Sequence, residues 1–106
     1  MRVLVTGGQG FLGQEVITLL RNQSIETVSV DLPQTQPDLP IDLSLPDAID
    51  KIREIDPAVI VHLAGVQYLN KVNRKKRSAY FHENVKMAEN IGSFARHPRT
   101  CCRLSL

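Results

Sequence analysis

Apolar positions follow two rhythms along the chain. Apolar-rich runs at residues 2–6 and 58–63 have the composition of strands buried on both faces, and residues 26–30, rich in β-branched residues, predict a further strand ending in Asp31. The run Ala58-Val59-Ile60-Val61-His62-Leu63 is the most continuous, which predicts a place inside a parallel sheet and not at its edge. Between these runs apolar residues recur every three or four positions. Leu12, Val16, Leu19 and Leu20 predict a helix over 11–21 with one face on the sheet, ended by Asn22-Gln23-Ser24. Leu45, Ile49 and Ile52 predict a second over 45–55, with Ser44 as N-cap, Pro46 in the first turn and Asp47 completing a capping box. Pro57 closes it. Phe81, Val85, Ala88, Ile91 and Ala95 predict a long third helix over 78–96, ended by His97-Pro98. Pro33, Pro37 and Pro40 make 32–40 a loop, and Ile41-Asp42-Leu43 follows as a short strand candidate.

Strands and helices in that alternation predict an α/β fold of βαβ(β)αβα order, a doubly wound parallel sheet of four to five strands. The 106 residues suffice for one small domain. Residues 1–96 are assigned to it, and 97–106 to a tail or the start of a fifth strand at Cys101. A formal charge of +2 argues neither for nor against a polyanionic partner. No cationic leader with a cleavage site and no apolar run of membrane-spanning length is seen, so a soluble cytoplasmic protein without a membrane partner is expected. Cys101 and Cys102 are adjacent and would bridge only with strain, with no metal-ligand spacing around them. They are read as reduced thiols without a role.

Candidate chemistry concentrates where the first strand meets the first helix. Val3-Leu4-Val5 runs into Thr6-Gly7-Gly8-Gln9-Gly10-Phe11-Leu12-Gly13. Strand, glycine turn and helix start together cradle a pyrophosphate, because the backbone approaches closely and the first helical N–H groups point at the anion. Two spacings fit: Gly8, Gly10, Gly13 and Gly7, Gly10, Gly13. The second is preferred, since Thr6 ends the strand and Gly7 then takes the first turn position. Asp31 stands 18 residues beyond Gly13, at the end of the second strand. There a carboxylate accepts hydrogen bonds from adenosine ribose hydroxyls and repels a 2′-phosphate. No Lys or Arg occurs between Asp31 and Asp50 to neutralise such a phosphate, so NAD is expected rather than NADP.

Other features weigh less. Ala64-Gly65 makes a second small-residue turn at the carboxyl end of a strand, where open α/β sheets place their ligands. His62 lies within the strand and is read as a packed, hydrogen-bonded histidine, not an acid–base group. Lys71, Arg74, Lys75, Lys76 and Arg77 are read as a solvated loop or helix face, since Tyr68 and Tyr80 only flank them.

Taken in order, these motifs resemble the N-terminal part of the NAD-dependent epimerase/dehydratase family, the extended short-chain dehydrogenase/reductases, over roughly residues 1–96. The resemblance implies a partial Rossmann-like domain cut off before its catalytic half. It implies cofactor contacts from Gly7, Gly10, Phe11, Leu12 and Gly13, ribose binding by Asp31, and an adenine-lining pair at Asp42-Leu43. It further implies a backbone along the cofactor at Leu63-Ala64-Gly65, within His62-Leu63-Ala64-Gly65, and a matching asparagine at Asn84, within Asn84-Val85. Family members oxidise a substrate alcohol, often of a nucleotide sugar, through a Tyr-x-x-x-Lys pair. Here Val72 stands four positions after Tyr68, and Asn84 four after Tyr80, so no catalytic residue is assigned. The segment His97-Pro98-Arg99-Thr100-Cys101-Cys102 does not look like the family's run into its fifth strand, which points to truncation or a shifted reading frame near residue 97.

Three functions compete: the NAD-binding portion of an epimerase- or dehydratase-like oxidoreductase acting on a nucleotide sugar in a longer form, a non-catalytic NAD-binding sensing or interaction module, and a nucleic-acid protein working through 71–77. The last ranks lowest, and no nucleic acid is expected as a partner. With at most a stub beside it, strand 58–63 is expected to need a covering partner or to drive self-association.

Overall fold

A computed structural model describes residues 1–65, 74–95 and 101–104, of which 74–81, 95 and 101–104 are described by backbone alone. In chain order the elements are β1 (Arg2–Thr6), α1 (Phe11–Asn22), β2 (Glu26–Asp31), a short 3₁₀ turn (Pro33–Thr35), β3 (Leu39–Pro40), α2 (Ala48–Ile55), β4 (Val59–His62), α3 (Arg74–Ala95) and β5 (Cys101–Leu104). All strand pairs are parallel, in the order β3-β2-β1-β4-β5. The chain therefore builds outward from β1 to β2 and β3, then returns to add β4 on β1's other side. That reversal leaves a crevice at the carboxyl ends of β1 and β4, where doubly wound sheets bind ligands.

Strand alternation sends side chains to two layers. Val3 and Val5 pack with Ile17 of α1, while Leu4, Val30 and Ile60 pack with Ala48 and Ile52 of α2 and with Met87, Ile91 and Phe94 of α3. As expected, β4 is an interior strand, but its outer side is occupied: β5 pairs along it from Val59↔Cys101 to His62↔Leu104. The open edge expected at 58–63 is thus covered by the chain itself, and the case for a partner at that strand falls. Of the two readings of 97–106, tail or start of a fifth strand at Cys101, the strand holds, over Cys101–Leu104.

Several local expectations are corrected. On α1 the inward face is Gly13, Val16, Ile17 and Leu20, whereas Leu12 and Leu19 are 54% and 63% exposed. The stripe turns because Gly13, lacking a side chain, lets the helix start sit against the glycine turn. The third strand is Leu39–Pro40, not 41–43; the Ile41 N–H closes on the Asp31 carbonyl at 3.0 Å, the last bond β2 offers. Proline in this strand is tolerated because β3 lies at the sheet edge. Ser44 is not an N-cap. Its N–H and hydroxyl both donate to Asp42 Oδ1, at 3.0 and 2.6 Å, and α2 begins only at Ala48, with Leu45 exposed. Helix α3 starts at Arg74, four residues before the predicted start. Its buried stripe is Met87, Ile91 and Phe94, with Val85 half-buried and Ala88 exposed. Asn90 explains this rotation: its amide donates to the carbonyls of Leu43 (2.7 Å) and Leu45 (3.1 Å), so a polar residue lies at the packed border of the helix. Phe81 and Ala95 of the expected stripe lie outside the described side chains, as does the basic run 71–77. Among the described residues no helix is long and apolar enough to cross a membrane, and no cluster of three or more metal-ligating side chains occurs.

Candidate functional site

The glycine turn is set by three different constraints. Gly7 has φ +68°, and a Cβ there would stand 2.8 Å from Ala64 N and 2.9 Å from the Leu63 carbonyl carbon. A side chain at that position is excluded both by conformation and by β4's following segment. Gly8 is required by packing, since a Cβ would fall 2.7 Å from Ser29 Cβ and 2.9 Å from Ile17 Cδ1. A Cβ on Gly13 would collide with the Gly7 carbonyl oxygen and lie 2.8 Å from Gly8 Cα. Both spacings read from the sequence therefore have a physical basis, and the left-handed turn falls at Gly7, the preferred first position.

Gly10 differs. It is the N-cap of α1 with ordinary dihedrals (φ −73°, ψ 171°), and a Cβ there would meet only the Gly7 carbonyl oxygen, at 3.3 Å. Among the described residues nothing demands a bare Cα at this exposed point. No side chain caps α1, and its first turn holds no acidic residue. The N–H groups of the opening turn have no intrahelical acceptor, and the helix dipole favours an anion beside them. A bare cradle wall next to uncapped N–H groups fits a diphosphate.

Asp31 reaches the same place. Its Oδ2 accepts from Gln9 N at 3.1 Å and its Oδ1 from Leu32 N at 2.8 Å, so the carboxylate is clamped between the glycine turn and the end of β2. The turn is also held to β2 by Gly8 N donating to the Val30 carbonyl at 3.3 Å. Asp42 follows Ile41, which bonds the Asp31 carbonyl, and so sits just past the carboxyl end of β2; Leu43 beside it is buried. On the β4 side, Leu63 and Ala64 press their backbone against Gly7. A Cβ on Gly65 would lie 3.6 Å from Asn84 Oδ1, which brings α3 to the same rim. Phe11 is 90% exposed and Leu12 54%, at the mouth of the turn. The structure thus gathers the glycine turn, Asp31, the 63–65 segment and Asn84 around one crevice.

Two participants escape sequence reading. Gln9 lies inside the motif as a variable position, yet its backbone N–H, its carbonyl and its side-chain Nε2 are all bonded. Thr6 anchors the crevice floor: its Oγ1 accepts from Leu63 N (3.0 Å) and Ala64 N (3.1 Å) and pairs with His62 Nδ1 at 2.6 Å. With two acceptor sites filled, the hydroxyl proton goes to Nδ1, leaving a neutral ring protonated on Nε2. Burial pushes the His62 pKa below its ordinary value. His62 is the packed, hydrogen-bonded histidine expected of it.

Sheet order, glycine turn and terminal acid together define a Rossmann-like dinucleotide-binding unit. The chain belongs to the NAD dependent epimerase/dehydratase family, whose model matches residues 3–102. A GDP-6-deoxy-D-talose 4-dehydrogenase from Aggregatibacter actinomycetemcomitans is 35% identical over 75 residues, which are 69% of this chain and 24% of that protein. Among solved structures, a Thermus thermophilus UDP-glucose 4-epimerase in complex with NAD superposes with a TM-score of 0.75 at 27% identity, over 91% of this chain and 34% of that one. A GDP-L-fucose synthetase from Naegleria fowleri bound to NADP gives 0.71 at 25% identity, over 99% and 30%. The chain therefore spans about a quarter to a third of the length of these relatives.

Proposed function

We propose that this chain binds NAD and forms the cofactor-holding part of an oxidoreductase that modifies a nucleotide sugar or related alcohol. When bound, NAD supplies a hydride acceptor for an alcohol carbon. In this assignment the opening N–H groups of α1 and the bare Cα of Gly10 receive the diphosphate. Asp31 accepts from the adenosine ribose hydroxyls, Asp42 and Leu43 border the adenine, and the 63–65 backbone with Asn84 lines the route toward the nicotinamide. The catalytic Tyr-x-x-x-Lys pair does not occur in the 106 residues, so binding and not turnover is assigned to them.

One observation carries this reading: Asp31 Oδ2 accepts from Gln9 N at 3.1 Å, inside the turn that would hold the diphosphate. A carboxylate fixed there serves ribose hydroxyls and opposes a 2′-phosphate, which favours NAD over the NADP seen with the Naegleria relative. Calorimetric titration with both dinucleotides tests it. NAD should bind more tightly than NADP, and Asp31→Ala should weaken NAD by about ten- to a hundredfold, the worth of hydrogen bonds to a charged acceptor. Absence of NAD binding, or tighter NADP binding, would overturn the reading.

A further inference from the structure

Resting on the NAD-binding reading, we infer that Gln9 is a positioning residue that closes the ribose site against a 2′-phosphate. The residue ties three pieces of the fold together. Its N–H donates to Asp31 Oδ2 (3.1 Å), and its carbonyl accepts from Gln14 Nε2 of α1 (3.1 Å). Its own Nε2 donates to the carbonyls of Thr35 (2.9 Å) and Gln36 (3.2 Å). Asp31 runs directly into Leu32 and the 3₁₀ turn Pro33–Thr35. Backbone from 31 to 36 and Gln9's two sets of hydrogen bonds therefore form a closed ring beside the carboxylate.

That ring has little else to hold it. Its internal bonds are Thr35 N and Thr35 Oγ1 to the Leu32 carbonyl, and Gln36 N to the Pro33 carbonyl. Among the described residues, the only hydrogen bonds from 33–36 to the rest of the fold come from Gln9 Nε2. Gln36 sits in the left-handed region at φ 55°, without a glycine's freedom. Its carbonyl direction is thus tied to the amide it accepts from.

The chemistry on the two sides of the ring is one-signed. Asp31 presents a carboxylate, and the carbonyl oxygens of Thr35 and Gln36 converge on Gln9, with no Lys or Arg between residues 22 and 50 to offset them. A ribose hydroxyl can donate to such a wall. A 2′-phosphate, largely dianionic at neutral pH, cannot, and needs either room for hydration or a cation. Held closed by Gln9, the ring offers neither. Released, the 33–36 turn can swing outward and leave room for hydration.

The test compares the wild-type chain with Gln9→Ala and with Gln9→Met, which keeps length but cannot donate. Affinities for NAD and NADP are measured by calorimetry, and amide exchange at Thr35 and Gln36 is followed without ligand. Both variants should exchange faster at those amides and show an NAD-over-NADP preference narrowed by about three- to tenfold, the range expected for losing one or two neutral hydrogen bonds. Equal weakening of both dinucleotides, or an unchanged preference, would overturn the inference while leaving NAD binding intact. Failure of the wild-type chain to bind NAD would instead remove the reading beneath it, on that arm alone.

Discussion

The hydroxyl of Thr6 lies 2.6 Å from His62 Nδ1, joining the last residues of β1 and β4 across the crevice from below. The two stand opposite in the parallel register, and both point to the layer of α2 and α3 together with Leu4 and Ile60. Through this contact, and through Leu63 N and Ala64 N on the same oxygen, one buried hydroxyl fixes the segment that presses on Gly7.

Thr6→Val keeps the shape and removes all three bonds. It should cost about 2–4 kcal/mol in urea unfolding, because Ala64 N and His62 Nδ1 are left buried without their partner. Thr6→Ser, which loses only a methyl group, should cost about 1 kcal/mol. Equal losses from the two variants would show that the hydroxyl does not matter.

Acid should weaken the fold in two stages. Burial holds the His62 pKa below its ordinary 6.5, so the unfolded chain takes up a proton that the folded chain refuses. Its contribution is complete above 6.5 and is lost as pH falls from there through the folded value. Asp38 acts lower. The Ser29 N–H on its carboxylate, opposed by partial burial and assisted by the Ser29 hydroxyl and Arg21, holds its pKa below 3.8. That contribution is present above 3.8 and is lost below it. Urea midpoints measured against pH should fall in both windows. His62→Gln should flatten the upper one and Asp38→Asn the lower.

Three glycines of the turn should separate by cause. Gly7→Ala and Gly13→Ala meet backbone atoms and should destabilise by at least about 2 kcal/mol, as strained or overpacked positions do. Gly10→Ala has ordinary dihedrals and one contact at 3.3 Å, so its stability cost should stay within about 1 kcal/mol, the scale of an N-cap change. Its effect should appear in NAD titration, as a loss of about tenfold or more from a methyl placed against the diphosphate. A Gly10→Ala protein that binds NAD normally would contradict the cradle.

Asn90 links α3 to the turn that follows Asp42. Asn90→Ala removes donors to the Leu43 and Leu45 carbonyls and should destabilise by about 1–2 kcal/mol. Amide exchange should quicken in 42–47 before it does in β1. Uniform quickening throughout the sheet would argue against so local a role.

How much of this was legible beforehand depends on how local the cause is. Strands β1 and β4 announce themselves by near-continuous apolar runs, β2 by its β-branched residues, and Gly7 to Gly13 by spacing. Those signals reflect burial on both faces and a turn that few residues can make. Misreadings came where a distant partner intervened. Ser44 looked like an N-cap until Asp42 took both its donors. The α3 stripe looked centred on Ala88 until Asn90 was seen bonding backbone on another element. Segment 97–106 left a tail and a fifth strand at Cys101 both open, because a short strand such as Cys101–Leu104 is decided only once β4 offers it a ladder.

Sequence alone determined the succession of strands and helices, the glycine turn and the acid at the end of β2, because each depends on residues close together in the chain. Tertiary structure decided what those pieces do to one another: that Gly7 must yield to Ala64, that Thr6 sets the tautomer of His62, and that Gln9 closes a ring around Asp31. The physical reason is that these are contacts between the ends of parallel strands and their loops. Residues brought together by a crossover leave no periodicity in the chain that joins them.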